Sequence, residues 1–404
     1  MKKILLTIMA IATLSACHHK HEDPVEDKAD RTVLVYIAGE NSLSSFINQE
    51  ITEMKTGSMT IGKNNLLVYV DRGASSELPW LARIQEGKVK DSVSIADMNI
   101  SQKDELASNP EVMESVLRYA FSKYPSKNED YGLVLWGHAS GWVIESDSIP
   151  YTAMARRKAF GVDNGVNSTS NSGKWLNIPT IAKLLSKLPH LKFIFADCCN
   201  FQCLEVAYEL RNVTDYVIGS PAEIPGVGAP YETVVPAMFE TSTFYTSIVD
   251  KYYAQRAEGY DVPLSAIKTD AMNDLANATS LVLKTIKEKY SGDYPDMNGI
   301  IHYYYNHKFY DANDFVRTYA SENDYAAWKQ ALDKAVVYKK SAKEWMTNRS
   351  WSGYYKDFEV TEEKYGGVSM FVPQSPYSGD YYTANTTISK MAWYYDAGLK
   401  DIGW

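Results

Sequence analysis

The chain predicts an open α/β fold: a mostly parallel sheet with helices on both faces, followed by a mostly helical C-terminal portion. Three observations carry this expectation. Short, continuous apolar runs rich in β-branched residues recur through the first half of the chain. Segments with helical apolar spacing separate them. After about Tyr260 the alternation gives way to longer helical patterns. Strands buried on both faces read as unbroken apolar runs rather than as alternation. Strand–helix alternation orders such strands side by side in parallel.

The elements follow in order. Residues 32–38 (TVLVYIA) predict the first strand, and residues 64–70 (NNLLVYV), ending at Asp71, the second. Residues 131–136 (YGLVLW), 191–196 (LKFIFA) and 216–219 (YVIG) predict three more. Residues 110–124 carry Val112, Val116, Leu117, Ala120 and Phe121 on one helical face, and residues 178–188 and 204–210 behave likewise. Beyond that, residues 262–268 predict a further strand. Residues 271–290 and 324–343 predict helices, the second with Trp328, Leu332, Ala335 and Val336 as a core stripe. Residues 366–373 (GGVSMFVP) predict a strand returning to the structure. No internal repeat is evident.

Composition narrows the function. The chain has 404 residues, enough to bury a full core without staples. Hydrophobic residues make up 45% and charged residues 23%, which excludes a disordered or low-complexity protein. The net charge is −9 and the basic residues are spread out, which argues against nucleic-acid binding. The four cysteines fall at 17, 198, 199 and 203, too few for a disulfide scaffold, and three of them lie within six residues.

Residues 1–16 read as an export signal: Lys2-Lys3, an apolar run from Ile4 to Leu14, then small residues before Cys17. Leu14-Ser15-Ala16-Cys17 resembles a bacterial lipobox, which implies that Cys17 carries lipid in the mature protein. The expected location is the bacterial cell envelope, at the outer membrane or the cell surface, with lipid as the sole anchor. Residues 17–30 read as a flexible tether. His18, His19 and His21 lie on it without fixed geometry for a metal. Residues 31–260 would form the main domain, and 261–404 a portion packed on the same core. The thirty tyrosines include Tyr303–Tyr305 and Tyr381–Tyr382. Sugar stacking is one reading of these, and half-buried packing is the preferred one.

Two strand ends carry chemistry. One apolar run ends in Gly137-His138-Ala139-Ser140-Gly141-Trp142, and another in Asp197-Cys198-Cys199-Asn200. Ligand crevices of open α/β sheets lie at the carboxyl ends of strands. A histidine at one such end and a cysteine at the next are a candidate nucleophile–base pair, the alternatives being a satisfied loop histidine and a cysteine packed as a small buried hydrophobe. A helix opening just after the cysteine would lower its pKa through the dipole. The N–H groups that follow, with that of Ala139, would hold an oxyanion.

WGHASGW (136–142) followed by DCC (197–199) resembles the clostripain family of cysteine peptidases, in the caspase–gingipain–legumain clan. Further blocks agree in order: TVLVYIAGENSL (32–43), LEVAYELR (204–211), GSPAEIPGVGAPY (219–231) and YGGVSMFVP (365–373). The resemblance covers most of the mature chain and implies a caspase-like sheet and a cysteine endopeptidase without a cofactor. It matches His138 to the catalytic histidine and Cys199 to the nucleophile. It matches Asp197 to the acid beside the pocket for the residue before the cut, so cleavage after Arg or Lys is implied. A helix N-cap is the other reading of Asp197. Cys198, one place earlier on a strand, should face the other way, and Cys203 reads as a packing residue. Ala139 stands where the family usually has Gly, a strained site if φ there is positive.

Family members are often latent and cut between the two strands. Residues 143–158 form a loop-like stretch ending Arg156-Arg157-Lys158, so self-cleavage after one of these three is expected, against the alternative of a solvated basic turn. Acids such as Asp147 and Asp163 do not assemble into a calcium site from sequence alone, and no metal is assigned. The expected partners are protein or peptide substrates with Arg or Lys before the cut. The rival readings are a transpeptidase of the same clan and a non-catalytic surface lipoprotein that kept the fold.

Overall fold

A computed structural model describes residues 28–72, 78–100, 107–144, 159–163, 173–255, 261–290, 292, 294–304, 309–346, 358–373 and 385–404. Cys17 and the signal before it, most of the tether, Asp147, Arg156, Arg157, Lys158, Tyr305 and the Tyr381–Tyr382 pair lie outside these residues.

The centre is a nine-stranded sheet. Its parallel part is built from β1 (Thr32–Gly39), β2 (Asn65–Arg72), β5 (Tyr131–Trp136), β8 (Phe193–Asp197) and β9 (Tyr216–Gly219). In space these run β9-β8-β5-β1-β2, each parallel to its neighbour. All five expected strands are present, within one or two residues. They read as unbroken apolar runs because both faces are covered. On β1, Leu34, Tyr36 and Ala38 enter one core, while Val33, Val35 and Ile37 enter the other.

The first face carries α2 (Pro110–Lys123), α3 (Ile178–Leu185), α4 (Leu204–Leu210) and α7 (Met272–Lys287). The second carries α1 (Ile47–Gly57), α5 (Tyr231–Met238) and α6 (Phe244–Tyr253). Pro110 sits at the first position of α2, and Asn109 caps it by accepting from the Glu111 N–H, 2.9 Å away.

Antiparallel strands finish both edges. At one edge β3 (Trp80–Gln85) pairs with β2, and β4 (Lys88–Ser94) pairs with β3. The expected fold lacked this hairpin. Its turn is marked by positive φ at Glu86 and Gly87, and β4 reads KVKDSVS, a polar edge without an apolar run. At the other edge β10 (Leu264–Lys268) pairs with β9, and β12 (Val336–Lys340) pairs with β10.

Strand β12 corrects one expectation. The helix expected over 324–343 runs only over Glu322–Ala335, as α9. The following VVYKK is β-branched and aromatic, and a sheet edge waits to be paired. The strand expected over 366–373 shortens likewise. Only Ser369–Met370, as β13, pairs with β11 (Tyr310–Asp311). The preceding glycines instead turn their N–H groups onto the Asp311 carboxylate, at 2.8 Å from Gly366.

The remaining elements are the antiparallel pair β6 (Phe160–Asp163) and β7 (Lys174–Leu176), α8 (Ala312–Tyr319) and α10 (Ala392–Asp396). Tyr303 is fully buried and Tyr304 nearly so, so these two pack in the core rather than on a sugar-binding surface. Among the described residues, no helix is long and apolar enough to cross a membrane.

Candidate active site

Parallel strands β5 and β8 are neighbours, and Trp136 pairs in register with Asp197. The two chemistry-bearing loops therefore leave the sheet side by side. The backbone tightens at Gly141, where φ is +60°. A Cβ there would lie 2.5 Å from the Asn200 carbonyl oxygen and 2.7 Å from Cys203 Sγ. Glycine lets the histidine loop pack directly on the cysteine loop.

The result is a cavity of about 340 Å³. His138, Ala139, Asp197 and Cys199 all line it, with Trp136, Glu223, Ile224, Gly228 and Tyr304 among their neighbours. Four residues singled out from two distant stretches of sequence thus share one cavity wall.

His138 is half-buried, and its Nε2 lies 2.9 Å from Ser42 Oγ. Ser42 follows β1 and was not among the expected site residues, although it falls inside the TVLVYIAGENSL block. Cys199 is also half-buried. Its Sγ accepts from the Ile224 N–H at 3.5 Å. Cys198 is fully buried in the core of the opposite face, so adjacent cysteines do face opposite ways. Burial pushes the Cys198 and Cys203 thiols well above their ordinary value, which makes both inert.

Positive φ in the histidine loop falls on Gly137 and Gly141, and Ala139 is not among the positive-φ residues. Alanine therefore sits there without the strain that positive φ would impose. Ala139 bridges Phe160 through flanking bonds, from Ser140 N–H to Ala159 and from Gly161 N–H to His138. Among the described residues, the Ala139 N–H has no backbone acceptor.

The helix-dipole expectation fails. Helix α4 opens only at Leu204 and is seven residues long. Asn200 adopts φ +53° and its N–H donates to the Ala222 carbonyl at 2.9 Å, so the chain turns aside before the helix begins. The Asn200 N–H is thereby also removed from any oxyanion hole.

The N-cap reading of Asp197 is excluded as well, because Cys203 occupies the N-cap position of α4. Asp197 is buried at the end of β8. Its Oδ2 accepts from the Ala229 N–H at 3.0 Å and the Tyr231 hydroxyl at 2.9 Å, and its Oδ1 from the Tyr252 hydroxyl at 3.2 Å. Burial raises its pKa to about 6, against the pull of these three donors. A second acid, Glu50 of α1, lies beside it. Burial first, then the charges of Asp197 and Glu53, push Glu50 up to about 10, while the Trp136 indole acts against the rise.

A separate acidic cluster forms where β1, β2 and β6 end. Carboxylate oxygens of Glu40, Asp71 and Asp163, all buried, lie within 4.8 Å of one another. Oxygen donors of this kind suit a hard cation such as calcium. Asp71 and Asp163 also hydrogen-bond each other, and both accept from the Ala107 N–H. Burial first, then the charge of Asp163, raises the Asp71 pKa well above its ordinary value.

The family model of the clostripain family matches residues 35–402. The chain belongs to that family and is a cysteine peptidase. Among solved structures, a secreted C11 cysteine protease from Bacteroides thetaiotaomicron, bound to an irreversible peptide inhibitor, is 31% identical. That match covers 92% of this chain and 100% of the other, with a TM-score of 0.72. An inactive zymogen C11 protease from Parabacteroides distasonis is 28% identical over 92% of this chain and 98% of its own, with a TM-score of 0.70. A second secreted Bacteroides thetaiotaomicron protease, at 19% identity and a TM-score of 0.68, shares the fold. No curated protein matches the chain.

Proposed function

We propose that the protein is an exported, lipid-anchored cysteine endopeptidase that cuts after Arg or Lys. The observation that carries this reading is the shared cavity of His138, Cys199 and Asp197. Cys199 Sγ attacks the scissile carbonyl carbon while its proton passes to His138. The Ala139 N–H supports the oxyanion that forms. The tetrahedral intermediate collapses as the C–N bond breaks, and His138 returns the proton to the leaving amine. Water then hydrolyses the thioester, with His138 as base, and frees the thiol.

Ser42 serves to orient the His138 ring. Asp197 at the cavity wall favours a cationic side chain before the cut. Export fits the Lys2-Lys3 signal and the secreted relative, and anchoring rests on Cys17 alone. Latency and self-cleavage within residues 143–158 fit the zymogen relative and the Arg156-Arg157-Lys158 run.

A peptide bearing P1 Arg and an alkylating group tests the reading. The expected product is one adduct, on the peptide containing Cys199, absent from Cys199→Ala. Labelling that persists in Cys199→Ala would place the nucleophile elsewhere.

A further inference from the structure

Asp197 is short of acceptors. An ionised carboxylate offers about four lone-pair sites. Three of those on Asp197 are taken by Ala229, Tyr231 and Tyr252. A lysine ammonium brings three donors and a guanidinium five, in a rigid fork that favours paired acceptors. One remaining site does not satisfy either cation.

Glu50 has what Asp197 lacks. It lies on the apolar face of α1, among Ile47, Ile51 and Met54, and is fully buried. Its oxygens meet no hydrogen bond of ordinary geometry among the described residues, and the Trp136 indole N–H is a donor beside them. A buried acid so sparsely compensated costs free energy that an aliphatic side chain packed there would not. Stability alone therefore does not explain an acid at this position.

The two acids flank one point of the cavity wall. A Cβ added to Gly228 would lie 2.7 Å from Asp197 Oδ2, 3.2 Å from Glu50 Oε1 and 3.2 Å from Trp136 Nε1. Gly228, Asp197 and Trp136 line the cavity, so Glu50 stands immediately behind the wall at the slot that glycine leaves. Glycine is also required there by its φ of +61°.

We infer that Glu50 is a second specificity residue of this pocket, the carboxylate whose free oxygens receive the P1 cation beside Asp197. This rests on the peptidase reading above and names a determinant within it. Two neighbouring acids in a dry site do not both ionise alone. The arriving cation compensates the second charge, so the empty pocket holds a proton that the occupied pocket gives up.

The test compares one peptide with P1 Arg against the same peptide with P1 citrulline, which keeps the shape and removes the charge. The readout is the ratio of the two kcat/KM values, in wild type, Glu50→Gln and Glu50→Asp. A structural role for Glu50 scales both substrates alike and leaves the ratio unchanged. The inference predicts that Glu50→Gln lowers the ratio by about tenfold or more, as expected when a charged acceptor is lost. Glu50→Asp, one methylene shorter, gives an intermediate ratio, and it is read in the same way should Glu50→Gln not fold. A ratio equal to that of wild type in a folded variant overturns the inference. A wild-type enzyme without any Arg preference would instead overturn the basic-pocket reading on which it rests.

Discussion

At the residue scale, burial places three clustered cysteines in different environments. Cys199 alone is partly exposed at the cavity, while Cys198 and Cys203 are buried. Cys199→Ala is expected to lower kcat/KM by more than about 1,000-fold, as loss of a nucleophile does. Cys198→Ala should retain activity within about threefold, since it removes one buried sulfur from the opposite core. Peptide hydrolysis by both variants checks this, and equal losses would contradict it.

The two pocket acids set a pH dependence. Asp197, with its pKa raised to about 6, is ionised above that value and neutral below it. The preference for P1 Arg over citrulline should therefore weaken as pH falls through 6. A ratio that stays flat from pH 5 to 8 would contradict the role of Asp197. Glu50 gives a stability prediction with the opposite slope. Its folded pKa, about 10, lies far above the unfolded value, so the native state holds a proton that the unfolded chain releases. Stability contributed this way is full below the unfolded pKa and is lost as pH rises toward 10. Glu50→Gln removes that loss. Its Tm should rise relative to wild type on going from pH 6 to pH 9, and a constant difference would contradict the assignment.

At the element scale, the site depends on two adjacent parallel strands and on close contact between the loops that leave them. Gly141→Ala drives a Cβ into the Asn200 carbonyl and Cys203, and adds strain at φ +60°. It should cost about 1–3 kcal/mol and lower activity together with stability. A variant with wild-type Tm and turnover would show that the loops are not packed as described. Legibility divides at this scale as well. The β5 and β8 runs were readable because both of their faces are buried; His138 and Cys199 stood out as candidates because they follow those runs, and the family resemblance chose Cys199 over Cys198. The β3–β4 hairpin was not, because an edge strand facing water carries no apolar run. Strand β12 was hidden because VVYKK continues the helical stripe of α9, and only the unpaired edge of β10 decides its conformation. Glu50 was invisible for a related reason. A single glutamate on an amphipathic helix reads as a solvated charge until the packing of α1 against the sheet turns it inward.

At the scale of the whole molecule, the sheet runs through both halves of the chain. Strands β10 and β12 come from beyond residue 260, yet β10 pairs with β9 and β12 with β10 in the same sheet. Residues 31–260 alone would leave the edge of β9 unpaired and the core of α7 and α9 missing. Thermal unfolding of the full chain should accordingly be one cooperative transition. Two resolved transitions by calorimetry would contradict a shared core. The proposed self-cleavage is tested at this scale as well. Wild type should mature into two fragments joined noncovalently, cut after Arg156, Arg157 or Lys158, while Cys199→Ala stays intact. A single full-length mass for both proteins would contradict self-cleavage and leave the peptidase assignment untouched.

The most direct measurement of the central claim is cleavage of a peptide library varied at P1, by wild type beside Cys199→Ala. The account predicts products cut after Arg and Lys with wild type and none with Cys199→Ala. Equal cleavage by both proteins, or cleavage by wild type without regard to a basic P1 residue, would contradict it.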